Sequence, residues 1–123
     1  MPLLIYIAGP YRAADPWRVN LNVNRAECVA TMVWEAGHLS LCPHANTRYA
    51  SSRVTDAQYL AGTMEMMRRC DAVLVLPKHA ESEGTLGEIA DAEARGIPVM
   101  RLAKISRMEV EIALAAVLGR LAA

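Results

Sequence analysis

Ala72-Val73-Leu74-Val75-Leu76-Pro77, followed a few residues later by Ser82-Glu83-Gly84-Thr85-Leu86-Gly87-Glu88, decides how this chain folds. The first run is continuously apolar and rich in β-branched residues, the pattern of a strand buried on both faces. The second reads as a Gly-containing turn opening a helical pattern from Ile89 to Arg95. A buried strand that ends in such a turn places free backbone N–H groups, and the positive end of a helix dipole, at one edge of a sheet. Into that turn the chain puts a hydroxyl (Ser82), a backbone-exposing glycine (Gly84) and a carboxylate (Glu88).

Working outward, the same strand–helix alternation continues in both directions. Cys70-Asp71 precedes the strand. Asp71 falls at its amino end, the wrong edge of a parallel sheet for a ligand, and is read as structural. A helix capped by Thr55 or Asp56 runs to about Arg69, with Tyr59, Leu60, Met64 and Met67 as its expected buried stripe. Downstream, Gly96 stops the central helix and Ile97 to Leu102 forms a strand. Ser106-Arg107-Met108-Glu109 is a capping box for a last helix to about Leu118. That helix is apolar nearly all round, which predicts contact with a second copy of the chain.

At the amino end, Leu3 to Ala8 is a strand closed by Gly9-Pro10. Trp17 to Ala36 is a helix whose Val19, Val23, Ala26, Val29, Ala30 and Val33 share a face, with Gly37 as its stop. Its asparagines are read as exposed, or with Asn24 bonding the neighbouring loop. His38 to Cys42 is the remaining strand. Four alternations with short, right-handed connections predict a three-layer α/β sandwich on a parallel sheet of order 2-1-3-4, with room for a fifth edge strand. The ligand crevice then lies where the Gly9–Arg12 loop faces the Ser82–Glu88 turn.

Composition narrows the class. The 123 residues make one domain, 1–123, long enough to bury roughly two-thirds of its unfolded surface. Thirteen basic side chains balance thirteen acidic ones, which argues against a binder of polymeric nucleic acid. Three scattered cysteines, Cys28, Cys42 and Cys70, fit a reducing compartment. The amino terminus lacks a basic n-region, and no run approaches the ~18 apolar residues of a membrane span. The expectation is a cytoplasmic protein that needs no membrane.

Glu88 has two readings. Thr85-x-x-Glu88 satisfies a capping box in which the carboxylate only bonds the Thr85 N–H. Alternatively, Glu88 is a carboxylate in the first turn of a helix, kept ionised by the dipole and facing the crevice. There it can attack an electrophilic sugar carbon. Tyr6, on the adjacent strand, is placed to fix the attacking oxygen, or else is a core tyrosine. Arg12, in the loop after the first strand, suits a phosphate or carboxylate, or is a solvated charge. The irregular stretch Pro43 to Val54 is read as a lid or specificity loop, with His44 a substrate contact or a plain loop histidine. No residue pair has metal-ligand spacing near Cys42-Pro43-His44, so neither metal nor cofactor is expected. Dinucleotide, P-loop and nucleophile-elbow motifs are absent from the sequence.

Ile5-Tyr6-Ile7-Ala8-Gly9-Pro10, Pro43-His44, Cys70 through Pro77, Ser82-x-Gly84-x-x-Gly87-Glu88 and Gly96-Ile97-Pro98-Val99 together resemble the nucleoside 2-deoxyribosyltransferase superfamily across nearly the whole chain. The likeness is closest to its small bacterial and phage members of unassigned activity, near the 2′-deoxynucleoside 5′-phosphate N-hydrolases. It implies a flavodoxin-like (Rossmann-like) fold and a homodimer or larger homo-oligomer. It also implies N-glycosidic bond cleavage or transfer on a nucleoside or nucleoside 5′-monophosphate. Glu88 corresponds to the nucleophile that takes sugar C1′ and Tyr6 to the tyrosine that orients it. Ser82 and Gly84 correspond to a phosphate-holding loop, and Gly9 and Arg12 to the first loop of the pocket. Active members carry an Asp eight residues before the position of Asp71, where it serves the base; here Thr63 stands there. Either another group protonates the leaving base, Asp91 or His44, or the chain is a catalytically silent nucleotide-binding module. A third reading is a structural protein whose Glu88 only caps a helix.

Overall fold

Each long helix begins where a side chain takes up N–H groups that the first turn leaves unpaired. The computed structural model describes residues 2–11, 13–46, 53–78 and 82–122. In chain order these form β1 (Leu4–Ala8), α1 (Pro16–Glu35), β2 (Leu39–Leu41), α2 (Pro43–Asn46), α3 (Asp56–Arg68), β3 (Ala72–Val75), α4 (Glu83–Ala94), β4 (Val99–Arg101) and α5 (Arg107–Ala122). Asp15 accepts the Arg18 N–H at 2.9 Å with Pro16 in the first helical position. Thr55 caps α3 through a complete capping box with Gln58. Ser106 accepts the Glu109 N–H at 3.2 Å, but Glu109 does not return to Ser106; its carboxylate takes the Ala103 and Lys104 N–H groups instead. After α1 and α4 the chain turns at Gly37 (φ 89°) and Gly96 (φ 75°), left-handed positions where a side chain would be strained.

The sheet is parallel, in the order β2-β1-β3-β4, with Tyr6 opposite Leu41 on one side and Val73 on the other. This is the predicted order; no fifth strand occurs among the described residues. Strand periodicity sends alternate side chains to opposite faces. Ile5, Ile7, Ala72, Leu74 and Leu76 face one layer, where Val29 and Val33 of α1 meet Val110, Leu114 and Val117 of α5. Tyr6, Ala8, Val73 and Val75 face the other, where Met67 of α3 meets Ile89 and Ala92 of α4. Asp71 is structural as expected. Its carboxylate accepts the Leu4 N–H at 2.7 Å while its own N–H donates to the Leu4 carbonyl, pinning the amino ends of β1 and β3.

Three local expectations need correction. In α3 the buried residues are Thr63 and Met67, and Leu60 is 48% exposed. The first half of the helix roofs a cavity, and only its last turns pack on the sheet. The central helix starts at Glu83, because Ser82 is its N-cap, so Gly84 lies inside its first turn. The asparagine that bonds the first loop is Asn22, donating to the Tyr11 carbonyl at 3.2 Å, one helical face away from Asn24. Of the expected lid, Pro43 to Val54, the first four residues form the one-turn α2, and 47–52 lie outside the described residues.

Candidate active site

Tyr6 faces the α3–α4 layer because β1 puts it out of phase with Ile5 and Ile7. At the middle of a central strand the residue is 1% exposed, and its hydroxyl donates to Oε2 of Glu88 on α4. Gly84, Thr85 and Glu88 share one helical face and border a cavity of about 390 Å³. The opposite wall is α3, where Asp56, Tyr59, Leu60 and Thr63 recur at helical spacing along one face. Tyr11 and Gly9 of the first loop and His44 of α2 close the third side.

The electrostatics depart from the sequence expectation. Glu88 sits in the second turn of α4, beyond the first turn over which a helix dipole acts strongly. Burial pushes its carboxyl up to about 7, and the Tyr6 hydrogen bond holds it below where burial alone would take it. Tyr6, buried beside that carboxyl, is raised well above the ordinary phenol range and remains a donor. The capping-box reading of Glu88 fails: the N-cap is Ser82, whose Oγ accepts from the Thr85 N–H at 3.2 Å and from the Thr85 hydroxyl at 3.0 Å. Ser82 and Gly84 both border the cavity, at the amino end of α4.

His44 lines the cavity but is committed elsewhere. Its Nε2 lies 3.1 Å from the Gly9 carbonyl and 3.0 Å from the Pro10 carbonyl, and carbonyls only accept, so Nε2 carries the proton. Burial lowers its pKa, keeping the ring neutral, and Nδ1 is buried with no hydrogen-bond partner among the described residues. His44 therefore holds the first loop, and its ring meets Tyr11 edge-on at 5.5 Å. Gly9 is demanded by packing. A Cβ there would lie 2.3 Å from Leu76 Cδ1 and 2.9 Å from Leu76 Cβ.

Of the alternatives for protonating a leaving base, Asp91 is removed by geometry. It is held by Arg68 at 3.0 Å and Arg95 at 2.9 Å, which keep its carboxyl below the usual range. Thr63 lines the cavity, buried, and donates to the Leu60 carbonyl at 3.2 Å. Arg12 lies outside the described residues.

Sequence reasoning missed several cavity residues, Tyr11, Tyr59 and Asp56 among them. Tyr11 and Tyr59 stack at 5.9 Å with their planes 28° apart, forming an aromatic wall, and Asp56 stands at the amino end of α3. The signal was present. Asp56, Tyr59, Leu60 and Thr63 make a half-polar face two turns long, and an aromatic in the loop after the first strand sits at the ligand edge of a parallel sheet.

A family model described as Domain of unknown function (DUF7768) matches residues 3–102. Among solved structures, the chain is similar to a 2-deoxyribosyltransferase from the psychrotolerant bacterium Bacillus psychrosaccharolyticus, described as a biocatalyst for synthesis of antiviral and antitumoral nucleosides. The TM-score is 0.59 at 18% identity, over 87% of this chain and 79% of that one. At that identity the likeness concerns the fold. No curated protein matches the chain.

Proposed function

The chain belongs to the DUF7768 family, whose description names no activity, and from its site geometry we propose that it cleaves or transfers the N-glycosidic bond of a nucleoside or nucleoside 5′-monophosphate. The observation that carries the reading is the Tyr6–Glu88 pair, a half-buried carboxyl held by a buried phenol beside the cavity. A pKa of about 7 leaves roughly half of Glu88 ionised at neutral pH, enough to supply a nucleophile. Ionised Glu88 attacks C1′ of the sugar as the C1′–N bond breaks, and the base leaves with the bonding pair. Water, or a second base, then attacks C1′ and releases the carboxylate. The Tyr11–Tyr59 wall is apolar on its faces and suits a stacked base. Asp56, two helical turns before Thr63 on the same face, is our candidate for meeting the base and its proton.

The described lining holds three carboxylates, Asp56, Glu83 and Glu88, and no Lys or Arg. This weights the substrate toward the uncharged nucleoside. A 5′-phosphate would seat on the amino end of α4, at Ser82 and Gly84. Thr63 in the place of an acid favours a second reading, a nucleotide-binding module without turnover. The exposed apolar residues of α5, Met108 at 71% and Ile112 at 62%, support a homodimer through that helix.

Incubation with ribo- and deoxyribonucleosides beside their 5′-monophosphates, with chromatography of free base, tests the reading. Wild type is expected to release base, and Glu88→Ala to lose at least ~10³-fold of that rate, as for loss of a nucleophile. Release that survives Glu88→Ala would overturn the mechanism. Ligand-induced thermal stabilisation without base release would establish the binding module instead.

A further inference from the structure

A second cavity, of about 600 Å³, opens at the same edge of the sheet but on its opposite face, under the α1–α5 layer. That volume is in the range of small-molecule sites. Four stretches of chain build it: the loop after β1, one face of α1, the loop after β3 and the loop after β4. Its described lining contains four cationic side chains, Arg18, Arg25, Lys78 and Lys104, and no carboxylate. In a chain of zero net charge this is a local concentration of one sign. Arg18 is part-balanced by Asp15, 3.7 Å away. Arg25, Lys78 and Lys104 have no ion-pair partner among the described residues. The nearby Glu109 carboxylate is occupied by the Ala103 and Lys104 N–H groups.

Two further features make the cavity a site and not a scatter of surface charge. Arg18, Leu21, Asn22 and Arg25 recur at helical spacing, so α1 presents both arginines to the cavity along one face. Lys78 is the only non-glycine residue with positive φ among the described residues, at 65°, directly after Pro77. A lysine in that sparsely populated conformation is strained, and such strain persists only where the surrounding chain holds it in place. Leu21, Leu76 and Ile105 supply apolar wall, which focuses the field of the cations and gives a flat group a surface to lie on.

We propose that this cavity binds a small molecule carrying two or more linked phosphates and an apolar or ring portion. A single phosphate monoester brings only about −1.5 to −2 at neutral pH. Three uncompensated cations plus a half-balanced arginine match linked phosphates better. The site is separate from the Tyr6–Glu88 cavity and does not rest on the function proposed for it.

Isothermal titration of the full chain with inorganic tripolyphosphate, inorganic phosphate, a nucleoside triphosphate and a short single-stranded oligonucleotide tests the assignment. Tripolyphosphate is expected to bind more tightly than phosphate, the nucleoside triphosphate more tightly still, and both more weakly as salt rises. Arg25→Ala with Lys104→Ala is expected to raise the tripolyphosphate Kd at least ~10-fold, while Glu88→Gln leaves it unchanged. Lys78→Gly removes a charge and relieves the backbone together, so a weaker Kd in that variant cannot come from misfolding. Tripolyphosphate affinity unchanged in both cation variants, or no binding, would overturn the proposal. An oligonucleotide binding more tightly than the triphosphate would overturn it in favour of a polymer.

Discussion

Glu88 and Tyr6 form a pair in which each group sets the protonation of the other. Burial favours the neutral carboxyl, and the Tyr6 hydroxyl favours the ionised one, giving a value of about 7. If ionised Glu88 is the nucleophile, base release rises with pH through about 7 and levels off above it. Tyr6→Phe removes the hydrogen bond that favours the ionised carboxylate, so its inflection is expected to move to higher pH, with the rate at neutral pH falling. A pH–rate profile unchanged by Tyr6→Phe would sink the pairing as a functional device. Stability carries the same signature with a definite sign. A carboxyl raised from its ordinary 4.5 to about 7 contributes stability that is full below pH 4.5 and is lost as pH rises through 7. The melting temperature of wild type is therefore expected to fall relative to Glu88→Gln between pH 5 and pH 8. A constant difference across that range would show that Glu88 is not buried in solution.

At the scale of elements, the site depends on how closely β1 and β3 approach at their carboxyl ends. Leu76 continues the pairing by donating its N–H to the Ala8 carbonyl at 2.8 Å, and its side chain lies over Gly9. The His44 ring, under the same loop, ties the Gly9 and Pro10 carbonyls to α2. Gly9→Ala puts a methyl group against Leu76 where no room exists, so it is expected to destabilise the fold by about 1–3 kcal/mol, the usual cost of overpacking. Urea unfolding measures that loss. A variant as stable as wild type would mean that the strand ends separate easily, and the cavity wall with them. The face of α3 illustrates the same dependence. Its polar half stays out of the core because the first loop and α4 hold a gap open beneath it, and Met67 seals the sheet beyond.

For the whole molecule, the parallel sheet places two cavities at one edge, one on each face. The first is lined with carboxylates and aromatic rings, the second with cations. No helix among the described residues is long and apolar enough to cross a membrane. The outer face of α5 exposes Met108 and Ile112, the surface proposed for a homodimer, while Val110, Leu114 and Val117 serve the chain's own core. Ile112→Glu is expected to convert the proposed dimer to monomer with little change in fold, read by light scattering after size exclusion. A wild type that is already monomeric at high concentration would exclude this face as the interface.

The sequence by itself determined the layers, the strand order and the caps at Thr55 and Ser106. Those features follow from signals spanning a few residues: buried apolar runs, helical spacing, and hydroxyls or carboxylates just before a helix. Ser82 shows the limit of that reading, since the motif offers a capping box at Thr85 as one of two readings of Glu88, and the cap proves to be Ser82. It also placed Tyr6 and Glu88 at the same edge. Only the tertiary structure decided that they touch, because they lie 82 residues apart and meet through the parity of β1 and the phase of α4. It alone decided that Glu88 titrates near neutrality, that His44 carries its proton on Nε2, and that Tyr11 stacks on Tyr59. Desolvation and ring contact are sums over every group that surrounds a side chain, and those groups come from distant parts of the chain. A local pattern fixes which way a side chain points, and the packed fold fixes what it meets.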